Sequence, residues 1–213
     1  MILVTFEGID GSGKSTQARR LVARLRERGR AVDHFREPGG SELSERIRSL
    51  LLDPDLTIHA MSELLLFAAA RAQLVEERIR PALAEGKIVV CDRFYDSTTA
   101  YQGGGRQIVE WDWVRSFHAR VTGGLQPDRT YLIRLDPEEA LRRRAGGADA
   151  DRMERSDSGF YRRVVRAYDR LAEEEPERIL CLDGRRGIDD LAGVVWEDLR
   201  AVLERSQGTA PSG

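Results

Sequence analysis

The chain has 213 residues, of which 41% are hydrophobic and 33% charged, with a net charge of −2. That length suits one sizeable α/β domain with ample core, and the lack of a long apolar run excludes a membrane-spanning helix. The near-neutral balance argues against a general nucleic-acid-binding surface. Cys91 and Cys181 are alone and far apart, which fits two reduced thiols at strand ends and not a disulfide framework. His34, His59 and His118 show no metal-ligand spacing.

The chain enters a strand at once, Ile2 to Phe6, leaving no room for a signal peptide and placing the protein in the cytoplasm. Next comes Gly8-Ile9-Asp10-Gly11-Ser12-Gly13-Lys14-Ser15-Thr16, which fits Gly-x-x-x-x-Gly-Lys-[Ser/Thr]. Leu21, Val22 and Leu25 then recur at helical spacing over Gln17 to Arg28. Strand, glycine loop and helix together make a P-loop. Its glycines let backbone N–H groups approach a triphosphate, and the helix N-terminus favours negative charge. Lys14 is expected on the β- and γ-phosphates of that triphosphate, and the Ser15 hydroxyl on Mg²⁺. Lysine stands only at positions 14 and 87, so an otherwise Arg-using chain places a compact ammonium where this loop needs one.

Residues 31–36 read as a second strand, and Ser41 caps a helix through about Leu52. Ser62 is expected to cap a long helix through about Glu85, with Pro81 as a kink. Ile88 to Cys91 is a fully apolar strand ending at Asp92. Residues 102–107 are expected to be a flexible loop, and Ile108 to Val121 a helix. Thr130 to Leu135 is a strand and Glu138 to Arg144 a helix. A small, acidic stretch from Ala145 to Asp151 is expected to be mobile. Phe160 to Glu174, Arg178 to Leu182 and Ile188 to Arg205 read as helix, strand and helix. Residues 207–213 are polar and expected to be a disordered tail. Five strands alternating with helices predict a parallel sheet covered on both faces, in one domain over residues 1–206. Ligands in such sheets lie beyond the strands' carboxyl ends, where the P-loop, Glu37-Pro38, Asp92-Arg93 and Asp136 are expected.

A P-loop names a nucleotide and not a reaction. The next informative stretch is Asp92 to Gln102, directly after a strand. Asp92 is suited to orient Mg²⁺ and Arg93 to hold a second phosphate, unless the two only pair with each other. This segment has the form Asp-Arg-aromatic-x-x-Ser-x-x-Ala-Tyr-Gln. With Arg-Glu-Pro-Gly-Gly at 36–40, Phe67 and Arg71 one helical turn apart, and Asp-Arg-x-Glu at 151–154, the chain resembles the thymidylate kinase family.

The resemblance implies a P-loop kinase fold, ATP and Mg²⁺, a thymidine monophosphate acceptor and a homodimer. Phe67 and Arg71 share a helix face, so the ring can stack on thymine while the guanidinium donates to O4. Cytosine carries an amino donor there and would be rejected. By the same likeness Ser97, Thr98 and Gln102 help hold the acceptor, with Glu37 and Pro38 beside it. Tyr101 lies under the deoxyribose and Asp10 accepts from the 3′-hydroxyl. Arg93, with Arg48, grips the acceptor phosphate, although a solvated Arg48 is an equal reading.

The variable P-loop positions offer no arginine, so the transition-state cation must come from elsewhere. Arg142, Arg143 and Arg144 precede the small, acidic stretch and Arg152 follows it, making a lid over about 142–152. This is similar to the bacterial type, with Arg144 and then Arg143 as first choices. Consecutive residues point about 100° apart, so all three cannot face one site. A GTP switch protein is the rival from another class, but neither lysine sits in an Asn-Lys-x-Asp segment. The apolar residues of the two helices after Ser62 and Ile108 form either a dimer interface or core.

Overall fold

The computed structural model describes residues 1–144 and 158–208. Five strands form one parallel sheet in the order β2-β3-β1-β4-β5. They are β1 (Ile2–Glu7), β2 (Val32–Arg36), β3 (Ile88–Asp92), β4 (Arg129–Arg134) and β5 (Ile179–Asp183). β1 is central, with Phe6 abreast of Asp92 on one side and Tyr131 on the other.

Strand periodicity divides the core. Ile2, Val4 and Phe6 pack with Val90, Tyr131 and Ile133 under α1 (Lys14–Glu27) and α9 (Ile188–Gly208). The intervening positions point the other way. Leu3, Val89 and Cys91 meet Leu74, Val75, Ile79 and Leu83, while Leu132 lies under α8 (Ser158–Glu174). Burial on both faces is why β1 and β3 read as mostly apolar runs without polar alternation.

Ser41 caps α2 (Glu42–Leu52) as expected, its hydroxyl accepting from the Ser44 N–H at 3.3 Å. Ser62 does not cap the next helix. α3 (Ala60–Leu74) already begins at Ala60, after His59, which makes no side-chain cap bond. The kink expected at Pro81 falls beyond α3, where the helix type changes. A π-helical turn at Val75–Ile79 leads into α4 (Arg80–Ala84), with Pro81 in its first turn. A π-turn just ahead accommodates a residue that has no N–H to donate to the preceding turn.

Residues 102–107 are not a flexible loop. α5 (Tyr95–Thr98) runs into a second π-helical segment, Thr99–Gly105, with Gln102, Gly103 and Gly105 buried. A Cβ at Gly104 would stand 2.3 Å from the Ala167 side chain, so small size lets this segment lie against α8. The following helix, α6 (Trp111–Val121), starts three residues later than expected. α7 is Pro137–Arg144. α9 reaches Gly208, past the expected start of the tail at 207, while 209–213 lie outside the described residues. So do 145–152 of the expected lid, and 142–144 are the last turn of α7. Both cysteines are free, with Cys91 buried within β3 and Cys181 exposed within β5, not at strand ends.

Candidate active site

The phosphate loop starts where β1 ends. Gly8 has φ +135, and a Cβ there would lie 2.5 Å from the Ile133 carbonyl oxygen, so no other residue fits. Gly13 caps α1 with φ 98 and no side-chain bond, leaving the orphan N–H groups of the first turn for an anion. Gly11 and Ser12 complete the loop between Asp10 and that helix, and Ser15 and Thr16 lie half-buried in its first turn. Lys14 is buried and donates to Asp10 Oδ1 at 2.9 Å.

Asp10 joins this loop to the second constellation. Its Oδ1 also accepts from Arg93 Nη2 at 2.6 Å, and the Tyr101 hydroxyl lies 3.4 Å from Oδ2. Burial alone would raise the Asp10 carboxyl, but Arg93 and Lys14 outweigh it and hold the group well below the usual carboxylate range. Arg93 follows β3 in the left-handed region, φ 73, which a residue with a Cβ rarely adopts. Its Nη1 donates to Ser97 Oγ at 2.9 Å, and its guanidinium carbon lies 5.0 Å from the centre of the Tyr101 ring.

All eleven residues expected on the acceptor side line one cavity of about 250 Å³, and Leu52 completes the wall. Arg71 is 2% exposed. Its Nε donates to Glu37 Oε2 at 2.7 Å, Nη1 to Thr98 Oγ1 at 3.0 Å and Nη2 to the Phe94 carbonyl at 3.2 Å. Glu37 follows β2, and its peptide bond to Pro38 is cis. Burial raises the Glu37 carboxyl against the pull of Arg71, and its Oε1 is a buried oxygen without a partner. Phe67 is half-buried one turn before Arg71, and Arg48 Nη1 donates to the Pro38 carbonyl at 3.0 Å. Gln102 Nε2 donates to Glu63 Oε1 at 2.9 Å.

Ser15 and Asp92 are the expected Mg²⁺ oxygens. Asp92 Oδ1 is buried with no partner, which suits a carboxylate kept for a cation. Among the described residues no cluster of three His, Cys, Asp or Glu could hold a metal. A Mg²⁺ ion on nucleotide phosphates needs only one or two protein oxygens. On α7, Arg142 and Arg143 both pair with Glu139, lowering its carboxyl, and Arg143 Nη1 also donates to the Gly184 carbonyl at 3.0 Å. The Arg144 side chain and Arg152 lie outside the described residues.

Several site residues escaped the sequence reading. Glu7 is fully buried behind Arg93 and accepts from the Phe94 N–H, the Ser97 hydroxyl and the Tyr168 hydroxyl. Burial, reinforced by nearby Asp96, pushes its carboxyl up to about 7. Its signal was a lone acid closing an apolar strand. Glu63 is 1% exposed and pairs with Arg106 as well as Gln102, but on its helix it reads as one more surface acid. Asp96 and Arg178 form a buried pair between segments far apart in sequence, which no local pattern reveals.

Two sites face each other at the carboxyl ends of the parallel sheet, one suited to phosphates and one to a ring. That architecture is a nucleotide phosphotransferase of the P-loop kinase type. The thymidylate kinase family pattern matches residues 6–193. The thymidylate kinase of Deinococcus radiodurans is 47% identical over 204 residues, covering 96% of this chain and 97% of its own. That of Pelodictyon phaeoclathratiforme is 48% identical over 213 residues, covering 96% of each. The crystal structure of thymidylate kinase from Ehrlichia chaffeensis superposes with a TM-score of 0.76 at 34% identity, covering 93% of this chain and 98% of the other. The chain belongs to the thymidylate kinase family.

Proposed function

We propose that this chain transfers the γ-phosphoryl group of Mg·ATP to thymidine 5′-monophosphate, giving the diphosphate used in thymidine triphosphate synthesis. The observation that carries this reading is the fixed Arg71 in the cavity beside Phe67. A guanidinium has five N–H groups. Glu37, Thr98 and the Phe94 carbonyl engage four of them, since Nη2 also reaches Glu37 at 2.6 Å. One N–H of Nη1 is left for the thymine O4 carbonyl, with the base stacked on Phe67. A donor aimed this rigidly meets the cytosine amino group donor to donor. Arg93 and Arg48 hold the acceptor phosphate, Asp10 accepts from the 3′-hydroxyl, and Tyr101 packs under the sugar. Thr98, Gln102 and the unpartnered Glu37 oxygen line the base end.

On the donor side, P-loop N–H groups and Lys14 hold the ATP phosphates. Ser15 and Asp92 are the residues that would hold Mg²⁺, which neutralises charge between the phosphates. Catalysis is positioning and charge stabilisation, with little covalent chemistry. The lid arginines Arg143 and Arg144 complete it, in a single domain over residues 1–206. The enzyme acts in the cytoplasm on free nucleotides, not on nucleic acid or membrane. Among the described residues no helix is long and apolar enough to cross a membrane. A homodimer is supported by exposed Leu43 and Leu50 on α2, Met61 and Leu65 on α3, and Trp113 on α6.

A coupled assay with Mg·ATP and a panel of nucleoside monophosphates tests the reading. Thymidine and deoxyuridine monophosphates should react, and cytidine and purine monophosphates should not. Equal turnover of deoxycytidine and thymidine monophosphates would remove the base-reading role from Arg71.

A further inference from the structure

We infer that Glu7 is the positioning residue for Arg93: from behind the site it secures the turn at Arg93 and orients the two hydroxyls that aim its guanidinium. This rests on the proposal that Arg93 holds the acceptor phosphate.

Glu7 is the last residue of β1 and is fully buried. It does not line the acceptor cavity, so its carboxylate has no direct contact with a ligand there. β1 runs abreast of β3, which brings the end of β1 alongside the turn at Arg93. The Arg93 N–H donates to the Phe6 carbonyl at 2.9 Å, and the next N–H, that of Phe94, donates to Glu7 Oε1 at 2.7 Å. The left-handed residue is therefore held on both sides by adjacent residues of one strand. A side-chain acceptor at position 7 supplies what no further strand bond could, because β3 has already ended.

The other oxygen works on the guanidinium. Glu7 Oε2 accepts from Ser97 Oγ at 2.6 Å and from the Tyr168 hydroxyl at 2.9 Å. Each of those hydroxyls also faces Arg93 Nη1, at 2.9 Å and 3.4 Å. A hydroxyl carries one hydrogen. With both hydrogens directed at the carboxylate, both oxygens present lone pairs to the cation. Asp10 fixes the opposite arm, Nη2, at 2.6 Å. Arg93 is thus aimed from two sides, and of the two carboxylates involved only Asp10 belongs to the cavity wall.

Glu7→Gln keeps the shape and reverses the relay. If the amide oxygen keeps the Phe94 N–H, the amide nitrogen faces both hydroxyls and turns their hydrogens toward Arg93. In steady-state kinetics the KM for thymidine monophosphate should rise about tenfold or more, while the KM for Mg·ATP stays within about twofold. Tyr168→Phe removes one relay and should raise the same KM by about threefold. In an Arg93→Ala background Glu7→Gln should add nothing further. An unchanged acceptor KM in folded Glu7→Gln, or an equal loss in the Arg93→Ala background, overturns the inference. If Glu7→Gln does not fold, Tyr168→Phe decides alone, and an unchanged acceptor KM there has the same meaning. Hydrogen exchange at the Phe94 amide reads the clamp without substrate. It should be faster in Glu7→Ala, which removes the acceptor, and an unchanged rate there overturns the role of Glu7 at the turn. Should the wild type fail to phosphorylate thymidine monophosphate, the proposed function falls, while this exchange measurement still judges Glu7.

Discussion

The two halves of the site are held by different means. On the acceptor side, Arg71 and Glu37 are 2% and 4% exposed and draw partners from α3, the end of β2 and α5. On the donor side, the described lid arginines ride on one helix. Arg142 is 75% exposed and pairs with Glu139 on its own helix. A buried pair is costly to break because the survivor stays charged and dry, whereas an exposed pair contributes little. Recognition of the acceptor is therefore tied to stability. In the proposed reaction, by contrast, charge over the transferring phosphoryl group is not part of the core.

The largest expected effect is on the donor side. Lys14→Ala should lower kcat by about 10³-fold or more, because the phosphates lose their point charge in the transition state. Asp10 retains Arg93 as partner, so the far-ultraviolet spectrum and the unfolding midpoint should change little. Near-normal turnover in a folded variant would move the donor site away from position 14.

The lid comes next. Single replacements Arg142→Ala, Arg143→Ala, Arg144→Ala and Arg152→Ala should reveal at least one that lowers kcat by about 10²–10³-fold at saturating Mg·ATP. The KM values should move far less, because a lid cation acts chiefly in the transition state. Arg144 and then Arg143 are the first choices. Wild-type kcat in all four, and in the triple replacement of the α7 arginines, would shift the compensating charge to Arg93.

The two halves also differed in how legible they were. Most of the acceptor wall came from the family resemblance, but the covered parallel sheet, the phosphate loop and the Phe67–Arg71 turn followed from local signals. Each such signal works through neighbours in sequence or through a fixed helical period. Glu7, Tyr168 and Glu63 work across the fold, and their partners lie 87, 161 and 39 residues away. Apart from the place of Glu7 at the end of an apolar strand, nothing local distinguishes such an acid or phenol from a surface one. The glycines at 103–105 misled for a related reason. Read locally they mean flexibility, whereas here they allow a helix to lie close against α8.

A sharper test of the comparison is Arg71→Gln. It leaves Glu37 buried without its cation, so stability should fall by about 3 kcal/mol in urea unfolding. Discrimination between thymidine and deoxycytidine monophosphates should drop about 100-fold, since an amide can present either a donor or an acceptor. If discrimination falls while stability holds, recognition and core are separable, and the contrast between the two halves fails.

The smallest expected effect concerns pH and Glu7. Its carboxyl is raised from 4.5 to about 7 because burial disfavours the charge, with Asp96 adding to it. In the unfolded chain Glu7 loses its proton near 4.5, and in the folded chain near 7. Between those values the folded state binds more protons, so this group's contribution to stability falls as pH rises. That contribution is complete below about 4.5 and lost above about 7. His34 and His118 are lowered by burial, so they act with the opposite sign over a similar range. Asp10 is depressed, and its contribution is lost only as pH falls through the acid range. The wild-type profile alone therefore mixes signs. The difference between wild type and Glu7→Gln isolates the group, since glutamine does not titrate. Urea unfolding of both at pH 5, 6, 7 and 8 should show the wild-type advantage shrinking by roughly 2–3 kcal/mol across the series. A constant difference would mean that Glu7 stays charged throughout. The acceptor half would then hold a buried carboxylate at no cost in stability, and burial would no longer set it apart from exposed Arg142 on α7.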